Sequence, residues 1–529
     1  MTTTRAHQWA QLASTAVYDL AVIGGGATGL GVALDAALRG FSVVLLESHD
    51  FGGGTSSRST KLLHGGVRYL AQGNVALVRE ALAERTTVLR IAPHLAQPLP
   101  FIMPSYRWWQ TPFYGIGLKL YDLLAGRAGL GHTEWLSTQQ TQAALPGICP
   151  QGLCGGVQYW DGQFDDARLA LALARTIERA GGLPLNHVDV SDVRPMDAPA
   201  ADGARFTLSV RDRRQGQSAS IRARATVNAT GVWVDGLRQQ ALSHSGDALP
   251  PRLVSPSQGV HVVVDRAFMP GTHALLVPKT EDGRVLFAVP WMGSLILGTT
   301  DTPRQDLPRE PRPFEAELDF ILREAGKVLQ RPVQRDDIRS VWVGLRPLVA
   351  NTDTAQGTKS LSREHTIVTD DNGLVTVTGG KWTTYRAMAE DVLDTCFNAG
   401  VLPRRAAGAS QNHVLVGAPT SGPVVAVLQP PGEHLYGNQQ ADMRACPGTD
   451  HALGMGLTEA MVRYAVRSEY AATVEDVLAR RWRALFLDAR QAMAMAPAVA
   501  AIVREETDED PQLDAFMALA QAYLPAPQA

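Results

Sequence analysis

The pattern of apolar and polar residues near the amino terminus predicts a strand–helix–strand unit. An apolar run over residues 19–23 leads into three glycines, then a helix-period stretch over 28–38 and a second apolar run over 41–46. Gly40 suits the carboxyl end of the intervening helix, where glycine is the usual terminator. Two parallel strands joined by a helix form a right-handed βαβ unit. The pattern therefore predicts an α/β fold built on a parallel sheet.

The rest of the chain predicts further kinds of structure. Short apolar runs separated by turns follow one another over 259–298, which is typical of an antiparallel sheet. Residues 403–456 are rich in Pro, Gly and Gln and predict an irregular connector, whereas 458–521 have a helical pattern. Thr473 and Asp476 have the spacing of a helix capping box. Other predicted segments are helices at 166–182 and 379–397 and strands at 184–190, 205–211, 223–228, 337–350, 365–369 and 374–378.

Composition limits the classes of protein that fit this sequence. At 529 residues, 45% hydrophobic and 19% charged, the chain has material for roughly two to four domains and is not intrinsically disordered. Its net charge of −3 provides no basic field, so we expect no nucleic-acid partner. Four scattered cysteines without a C-x-x-C pair predict reduced thiols, a cytoplasmic chain and no metal site. The sequence has neither a secretory signal nor about 18 consecutive apolar residues, so we expect no membrane-spanning helix.

The glycine motif after the first strand predicts a dinucleotide-binding site. Gly24 allows a tight turn, Gly26 lets the backbone approach a pyrophosphate, and Gly29 lets the helix pack closely on the strand. Glu47 ends the next strand, where a carboxylate binds a ribose diol and repels the 2′-phosphate of NADP. The helix N-terminus adds N–H groups and partial positive charge for the phosphates. The alternative is a tight turn that binds nothing.

A hydroxyl-rich loop after this unit favours FAD over NAD as the dinucleotide. Small and hydroxylated residues over 55–69 can wrap a pyrophosphate or the edge of a flavin ring, whereas an NAD domain would return here to a third strand. The alternative is a flexible surface loop. The candidate cofactor contacts in the loop are Thr55, Ser56, Ser57, Lys61, His64, Gly65 and Gly66.

Two further turns of small residues are candidates for the same cofactor. One ends the predicted strand 223–228, and the other opens the helix at 379, where a helix N-terminus stabilises the electron-rich side of a reduced flavin. The alternatives are a plain strand exit and a plain helix start. The candidate contacts in these turns are Ala229, Gly231, Gly379, Gly380, Trp382 and Thr383.

Taken together, these motifs resemble the FAD-dependent, respiratory glycerol-3-phosphate dehydrogenases. The glycine motif from Ile23 to Asp35 and the turn from Gly379 to Ala389 are similar to two motifs of that family, and the loop 55–70 also fits. Leu30 replaces the smaller residue usual in the family, and 405–455 has no match. Further matching segments are 165–168, 290–291, 298–301, 344–347, 463–470 and 473–481. The resemblance covers nearly the whole chain.

The resemblance implies a glutathione-reductase-like FAD-binding Rossmann domain, an α+β substrate domain with an antiparallel sheet, and a helical C-terminal domain. The FAD domain is then discontinuous in sequence. The predicted boundaries are 16–98, 155–238 and 338–402 for the FAD domain, 99–154 and 239–337 for the substrate domain, 403–456 for the connector and 457–529 for the C-terminal domain.

The resemblance also implies oxidation of sn-glycerol 3-phosphate to dihydroxyacetone phosphate, with FAD as hydride acceptor and a membrane quinone as the next acceptor. A phosphate dianion needs cations, and arginine binds it bidentately. Taken singly, each candidate cation has a plainer interpretation as a solvated surface charge. The matching candidates are Arg68, Arg346, Arg363 and Lys381, with Tyr69 as a hydrogen-bond donor.

Oxidation of an alcohol also needs a base for the hydroxyl proton. His261 is the preferred base, although a histidine among valines also fits a core position. His64 is the other candidate, or it serves only the cofactor loop. Arg346 and Lys381 are further candidates for polarising the developing carbonyl oxygen.

A segment over 101–126 suggests contact with a membrane surface. Aromatic and aliphatic residues are combined there with Arg107 and Lys119, and this composition favours the interface between lipid and water. The alternative is a helical cover over the substrate domain. With the resemblance, the segment implies a peripheral protein on the cytoplasmic face of the inner membrane, and a homodimer is left open.

Three other functions fit parts of the sequence. A glycerol-3-phosphate oxidase would deliver the electrons to oxygen and produce peroxide. An FAD-dependent amine or amino-acid oxidase of the same fold would need a clamp for a carboxylate rather than several cations. A flavin-fold protein without turnover would hold FAD but leave it oxidised in the presence of the substrate.

Overall fold

The computed structural model describes residues 4–66, 74–244, 251–350 and 365–526, and most of its strands belong to two large sheets. In chain order the strands are β1 Tyr18–Ile23, β2 Val43–Leu46, β3 Leu62–Leu63, β4 Ala96–Ser105, β5 Glu134–Leu136, β6 Gly155–Phe164, β7 Leu183–Leu185, β8 Val188–Pro195, β9 Phe206–Asp212, β10 Ser218–Asn228, β11 Val254–Asp265, β12 Ala274–Val277, β13 Leu286–Trp291, β14 Ser294–Gly298, β15 Thr302–Pro303, β16 Ser340–Val349, β17 His365–Thr369, β18 Val375–Gly379, β19 Ala452–Gly454 and β20 Leu457–Thr458.

The first sheet has a parallel centre. Its order is β17–β18–β10–β1–β2–β7, with β9 paired to β10 and β8 to β9, and β1 runs parallel to both β2 and β10. One face packs against the helices Ala27–Leu38, Asp166–Arg179 and Tyr385–Asn398, and on the other face the central strands share an apolar core with β8, β9 and the helix Arg5–Ser14. Because both faces are covered, the central strands are apolar runs rather than alternating patterns. The predicted βαβ unit is confirmed.

The second sheet has the order β15–β11–β14–β13–β12–β4–β6–β3, with β16 paired to β11 and β5 to β6. The strands β11, β14 and β13 are antiparallel neighbours, as predicted for residues 259–298. β6 and β16 belong to this sheet, although the boundaries predicted from the sequence placed both in the FAD domain. The apolar pattern identifies a strand but not its partner, and both strands pair with segments far away along the chain.

Helices cover both sheets and form the C-terminal region. Among the described residues, none is long and apolar enough to cross a bilayer. Short 3-10 turns at Thr55–Ser57 and Trp382–Thr384 lie beside the site described below. The α-helices are Arg5–Ser14, Ala27–Leu38, Val75–Ile91, Gln110–Ala125, Thr138–Ala144, Asp166–Arg179, Val234–Ser243, Glu315–Gly326, Tyr385–Asn398, Ala409–Asn412, Gln440–Arg444, Glu459–Ser468, Ala484–Leu487, Ala489–Thr507 and Leu513–Gln521.

The C-terminal helices pack directly against β16. The predicted capping box is confirmed, because the Asp476 N–H donates to Thr473 Oγ1 at 3.1 Å and the Thr473 N–H donates to Asp476 Oδ2 at 3.0 Å. It opens a π-helical turn, Asp476–Arg481. At the end of the last helix, the Tyr523 carbonyl oxygen accepts the Val341 N–H at 2.7 Å. The C-terminal region is therefore hydrogen-bonded to the second sheet.

Candidate active site

The glycine loop after β1 closes against the carboxyl end of β10. Gly24 has a φ of +109°, and a Cβ there would lie 2.5 Å from the Ala229 carbonyl oxygen. A Cβ on Gly29 would lie 1.9 Å from the Gly24 carbonyl oxygen, so both positions require glycine. The N-cap residue of the helix Ala27–Leu38 is Gly26, which provides no side-chain cap. The result is a cradle of bare backbone at a helix N-terminus, the arrangement that binds phosphate groups.

The Glu47 carboxylate lies at the carboxyl end of β2, beside this cradle. The Gly25 N–H donates to its Oε2 at 2.7 Å, and the His49 N–H donates to its Oε1 at 2.8 Å. Burial raises the pKa of Glu47, and the bond from Gly25 opposes that shift. Each carboxylate oxygen accepts more than one hydrogen bond. The carboxylate is thus fixed in orientation and can accept further bonds from a ribose diol.

The hydroxyl-rich loop joins the glycine loop to the turn that opens at Gly379. Ser56 Oγ accepts the Ala27 N–H at 2.9 Å, and the Ser56 carbonyl oxygen accepts the Trp382 indole N–H at 2.7 Å. Thr383 Oγ1 accepts the His64 N–H at 3.2 Å. Three segments distant in sequence therefore meet at one place, as expected if they enclose one cofactor.

The remaining cofactor candidates lie at the edges of this junction. The Thr55 hydroxyl donates to the Leu345 carbonyl oxygen at 2.6 Å, which ties the loop to β16. The Gly65 N–H donates to the Tyr121 hydroxyl at 3.0 Å, from the helix Gln110–Ala125. The other glycine candidates, all with positive φ, are Gly66, Gly231, Gly379 and Gly380.

Arg346 extends from β16 across the neighbouring strand β11. Its Nη1 donates to the Thr300 carbonyl oxygen and pairs with Asp301, both at 3.0 Å, and its Nη2 donates to Thr299 Oγ1 at 3.2 Å. A Cβ on Gly259 of β11 would lie 2.3 Å from this Nη2, so the missing side chain provides the space that the guanidinium occupies. The guanidinium plane is fixed while part of the side chain stays accessible.

His261 lies on β11, on the same face of the sheet. Its Nε2 is 2.9 Å from Thr60 Oγ1, and its ring stacks on Trp342 with centroids 5.3 Å apart. A Cβ on Gly298 would lie 2.8 Å from the imidazole Cδ2. Among the described residues Nδ1 has no hydrogen-bond partner. Burial, followed by the charges of Lys61 and Arg346, holds the pKa of His261 well below its ordinary value, so the imidazole is neutral.

The other predicted residues differ in what the structure shows of them. Lys61, a predicted cofactor contact, is fully buried, and its Nζ lies 2.7 Å from Asp166 Oδ2 and 2.7 Å from the Ser57 carbonyl oxygen. Lys381 is half-buried immediately before the turn Trp382–Thr384. The predicted substrate contacts Arg68, Tyr69 and Arg363 lie outside the described residues.

Several residues of the site were not predicted from the sequence. Thr60, Trp342 and Gly259 each touch a predicted catalytic residue, and Tyr121 touches the cofactor loop. The sequence does contain a signal for Gly259, since a glycine inside a strand marks a close approach by another group. It contains no signal for Trp342, because an aromatic residue in an apolar strand is ordinary core composition.

Comparisons with known proteins agree with this geometry. A family model described as FAD dependent oxidoreductase matches residues 19–386, and one described as the C-terminal domain of alpha-glycerophosphate oxidase matches 435–512. The structure of glycerol-3-phosphate dehydrogenase from Bacillus halodurans complexed with FAD covers 98% of this chain and 98% of its own, with 27% identity and a TM-score of 0.75. The FAD-bound L-alpha-glycerophosphate oxidase of Mycoplasma pneumoniae, 15% identical over 75% of this chain and 98% of its own, shares the fold with a TM-score of 0.58. The chain is an FAD-dependent oxidoreductase.

Curated relatives narrow this class. The mitochondrial glycerol-3-phosphate dehydrogenase of Homo sapiens is 38% identical over 96% of this chain and 73% of its own length. The enzyme of the same name from Schizosaccharomyces pombe is 37% identical over 92% of this chain and 84% of its own length. The chain therefore belongs to the FAD-dependent glycerol-3-phosphate dehydrogenase family, as the sequence motifs predicted.

Family membership confirms the predicted fold class and FAD as the cofactor. The cradle fits FAD on its own evidence, because Gly24 and Gly29 allow the loop to close tightly with its backbone bare, and a fixed carboxylate, Glu47, stands beside it. The glycine loop and Glu47 would hold the adenosine diphosphate half. The loop 55–66 and the turn 379–383 would hold the flavin half. These assignments of single residues stay predictions.

Proposed function

We propose that the protein, a glycerol-3-phosphate dehydrogenase by family, oxidises sn-glycerol 3-phosphate to dihydroxyacetone phosphate and delivers the electrons to a membrane quinone. One observation carries the residue assignment. Arg346 bonds Thr299, while the His261 ring lies over Gly298, so a fixed cation and a neutral imidazole meet at neighbouring residues of one segment. An alcohol that loses a proton and a hydride needs this pair, a base and a positive charge at the oxygen.

His261 is the base in this proposal. The substrate C2 hydroxyl gives its proton to the imidazole while the C2–H bond breaks and the hydrogen leaves as hydride. FAD, when bound, supplies the acceptor for that hydride. With Thr60 accepting the Nε2–H, the lone pair lies on Nδ1, the nitrogen that has no partner among the described residues. Burial keeps His261 neutral, so the imidazole carries no proton on this nitrogen before the reaction.

Arg346 and Lys381 provide positive charge where the alcohol oxygen becomes a carbonyl oxygen. The three bonds from the Arg346 guanidinium to residues 299–301 hold it in one plane, so no reorganisation is needed during the reaction. Arg68, Arg363 and Tyr69 complete the proposal as the groups that bind the phosphate dianion, for which arginine provides a bidentate fork.

Anaerobic mixing with glycerol 3-phosphate tests this function. The substrate should bleach the flavin absorbance, and Arg346→Ala should slow bleaching on the order of several hundred-fold, as for loss of a preorganised donor. Arg335→Ala is the matched control, because the partners of Arg335 in the described part of the chain are the surface carboxylates Glu315 and Asp319. An Arg346→Ala variant that bleaches at the wild-type rate would remove Arg346 from the mechanism.

The same preparation separates the alternative functions. Stoichiometric peroxide in air would identify an oxidase, whereas rapid reduction of an added short-chain quinone without peroxide supports the quinone as acceptor. Bleaching by amino acids rather than by glycerol 3-phosphate would support an amine or amino-acid oxidase. Bound FAD that no substrate bleaches would support a protein without turnover.

An exposed apolar surface supports the membrane part of the proposal. On the helix Gln110–Ala125 and its entry, the exposed fractions are 81% for Trp108, 65% for Phe113, 69% for Ile116 and 76% for Leu123. The opposite side of the helix is buried at Leu118, Tyr121 and Ala125. Large contiguous apolar surfaces mark interaction sites, and aromatic residues favour the lipid interface. We propose that this face lies on the membrane, on its cytoplasmic side.

Liposome flotation tests this face. Replacing Trp108 and Trp109 by serine should move most of the protein from the floating fraction to the unbound fraction, because both side chains are exposed and the change leaves the core intact. The matched control is the pair Val424 and Val425, exposed at 40% and 45%, replaced in the same way. Equal flotation of the tryptophan variant and the wild type would exclude this face as the membrane-binding surface.

A further inference from the structure

Three parts of the chain meet at the buried side chain of Lys61. Its ammonium donates to the Ser57 carbonyl oxygen and to Asp166 Oδ2, each at 2.7 Å. Arg483 of the C-terminal region donates to the same carbonyl oxygen at 2.8 Å and lies 3.3 Å from Asp166 Oδ1. All three charged side chains are 0% exposed. Two cations from different regions therefore share one carbonyl and one carboxylate without access to water.

The same ammonium is enclosed by aromatic rings. Its Nζ lies 5.4 Å from the ring centroid of Trp291, 5.3 Å from that of Trp342 and 5.3 Å from that of Phe486. Placing a cation in a dry environment costs several kcal/mol, and hydrogen bonds with cation–π contacts offset only part of that cost. An apolar side chain of similar length would pack here at lower cost, so stability alone does not explain the lysine.

Two contacts of the His261 ring, with Thr60 and with Trp342, lead back to Lys61. Thr60, whose hydroxyl contacts Nε2 at 2.9 Å, is the residue before Lys61. Trp342 stacks on the imidazole at an interplanar angle of 15° and at the same time borders the Lys61 ammonium. One anchored cation thus fixes the loop on one side of the imidazole and the ring on the other.

We propose that Lys61, anchored by Asp166 and Arg483, is a positioning residue for His261: it holds the Thr60 and Trp342 contacts of the imidazole in place. This proposal rests on the proposed function, which assigns the base to His261. It makes the C-terminal region, through Arg483, part of the apparatus that prepares the base.

The charges around His261 determine whether its pKa rises or falls when Lys61 is replaced. A positive neighbour disfavours the imidazolium, and the Lys61 ammonium and the Arg346 guanidinium both lower the pKa of His261. Removing the Lys61 charge takes away one of these two positive neighbours, so the pKa of His261 should rise. The charged groups that face the imidazole or its anchor are Lys61, Asp165, Asp166, Asp301, Arg346 and Arg483.

Lys61→Met in the FAD-loaded enzyme tests the proposal, since methionine keeps an unbranched chain without the charge. We expect kcat to fall by about tenfold to a hundredfold, the range of a general-base contribution that is partly lost, while KM changes less than about twofold. The acid limb of the kcat/KM profile should move to higher pH. In spectra of the protein with labelled histidine, assigned by comparison with His261→Gln, the His261 resonance should begin to titrate in the variant.

A matched variant separates positioning from ordinary stability. Arg238→Met breaks another buried ion pair, which the helix Val234–Ser243 makes with Asp370 and which includes none of the contacts of Lys61 or His261. It should lower the melting temperature and leave the pH profile and the His261 resonance unchanged. A Lys61→Met enzyme that behaves like Arg238→Met in these two measurements overturns the proposal.

A double-mutant cycle with His261→Gln separates this proposal from the proposed function. If His261→Gln keeps the wild-type kcat, the assignment of the base fails. If His261→Gln lowers kcat and Lys61→Met lowers it equally in both backgrounds, only the positioning role fails; we expect less than a twofold further effect in the His261→Gln background. Should Lys61→Met not fold, Thr60→Val tests the loop contact alone, and a wild-type kcat there overturns the proposal.

Discussion

Gly259 gives the sharpest prediction, because its only evident purpose is to leave space for Arg346. In Gly259→Ala the new Cβ would lie 2.3 Å from Arg346 Nη2 and 2.7 Å from Thr299 Oγ1. An ordinary carbon–nitrogen contact needs about 3.4 Å, so the guanidinium must withdraw by roughly 1 Å. The atom that moves is the end of a flexible side chain, so the fold should be little disturbed.

We therefore expect Gly259→Ala to slow catalysis rather than to lower the stability of the fold. A displacement of about 1 Å of a group aimed at the reacting atoms costs on the order of a hundredfold in rate, equivalent to about 2.7 kcal/mol in the activation free energy. We expect kcat for glycerol 3-phosphate to fall by that factor, while the melting temperature changes by only a few degrees. Stopped-flow flavin reduction and calorimetry measure the two quantities separately.

A control and a cycle complete the test of Gly259. Gly326→Ala adds the same methyl group at the end of the helix Glu315–Gly326, where no atom beyond its own turn of the chain lies within 4 Å, so its rate should equal that of the wild type. In an Arg346→Ala background, Gly259→Ala should have little further effect on kcat, since the guanidinium that it displaces is absent. A Gly259→Ala enzyme within about twofold of the wild-type kcat would refute the reasoning.

Two further predictions concern the cofactor and the acid stability. Both carboxylate oxygens of Glu47 accept a backbone N–H, so Glu47→Gln must place its amide NH₂ against either the Gly25 N–H or the His49 N–H. The FAD affinity, measured by equilibrium dialysis, should therefore fall about tenfold to a hundredfold. Glu281→Gln is the control variant. Asp476 has a pKa held well below its ordinary value, despite burial, by its buried cationic partners. It therefore contributes stability that is present above its unfolded pKa of about 3.9 and is lost as pH falls through the lower folded pKa. Asp476→Asn should lower the melting temperature at pH 7 and flatten its decline in acid, and an unchanged acid limb would contradict this.

Local features of the fold could be predicted from the sequence because their causes are local. The glycine loop and the capping box at Thr473 each depend on residues within one or two turns of each other. The βαβ unit is a pattern within one short continuous segment, and the position of Glu47 follows from its length. These features place the cofactor cradle but not the substrate site.

The remainder depends on contacts that no local pattern contains. Lys61 stands in a loop of hydroxylated residues, which favours an exposed interpretation, yet Asp166 and Arg483 bury it from more than a hundred residues away in sequence. The assignment of β6 and β16 to the second sheet likewise depends on their distant partners. In the sequence Trp342 cannot be distinguished from other core residues, because only the folded structure brings it onto the His261 ring.

The loop from Ser56 to Thr60 links the two halves of the site, the cofactor cradle and the base His261. Ser56 contacts Ala27 at the start of the helix Ala27–Leu38, and Thr60, four positions after Ser56, contacts His261. An extended chain covers about 3.5 Å per residue, so these two points cannot separate by more than roughly 14 Å. The Ser57 carbonyl oxygen between them is bonded by Arg483, which prevents the loop from bending out. Covalent geometry thus limits how far a cofactor in the cradle can move from the base, whatever small movement occurs between the two sheets.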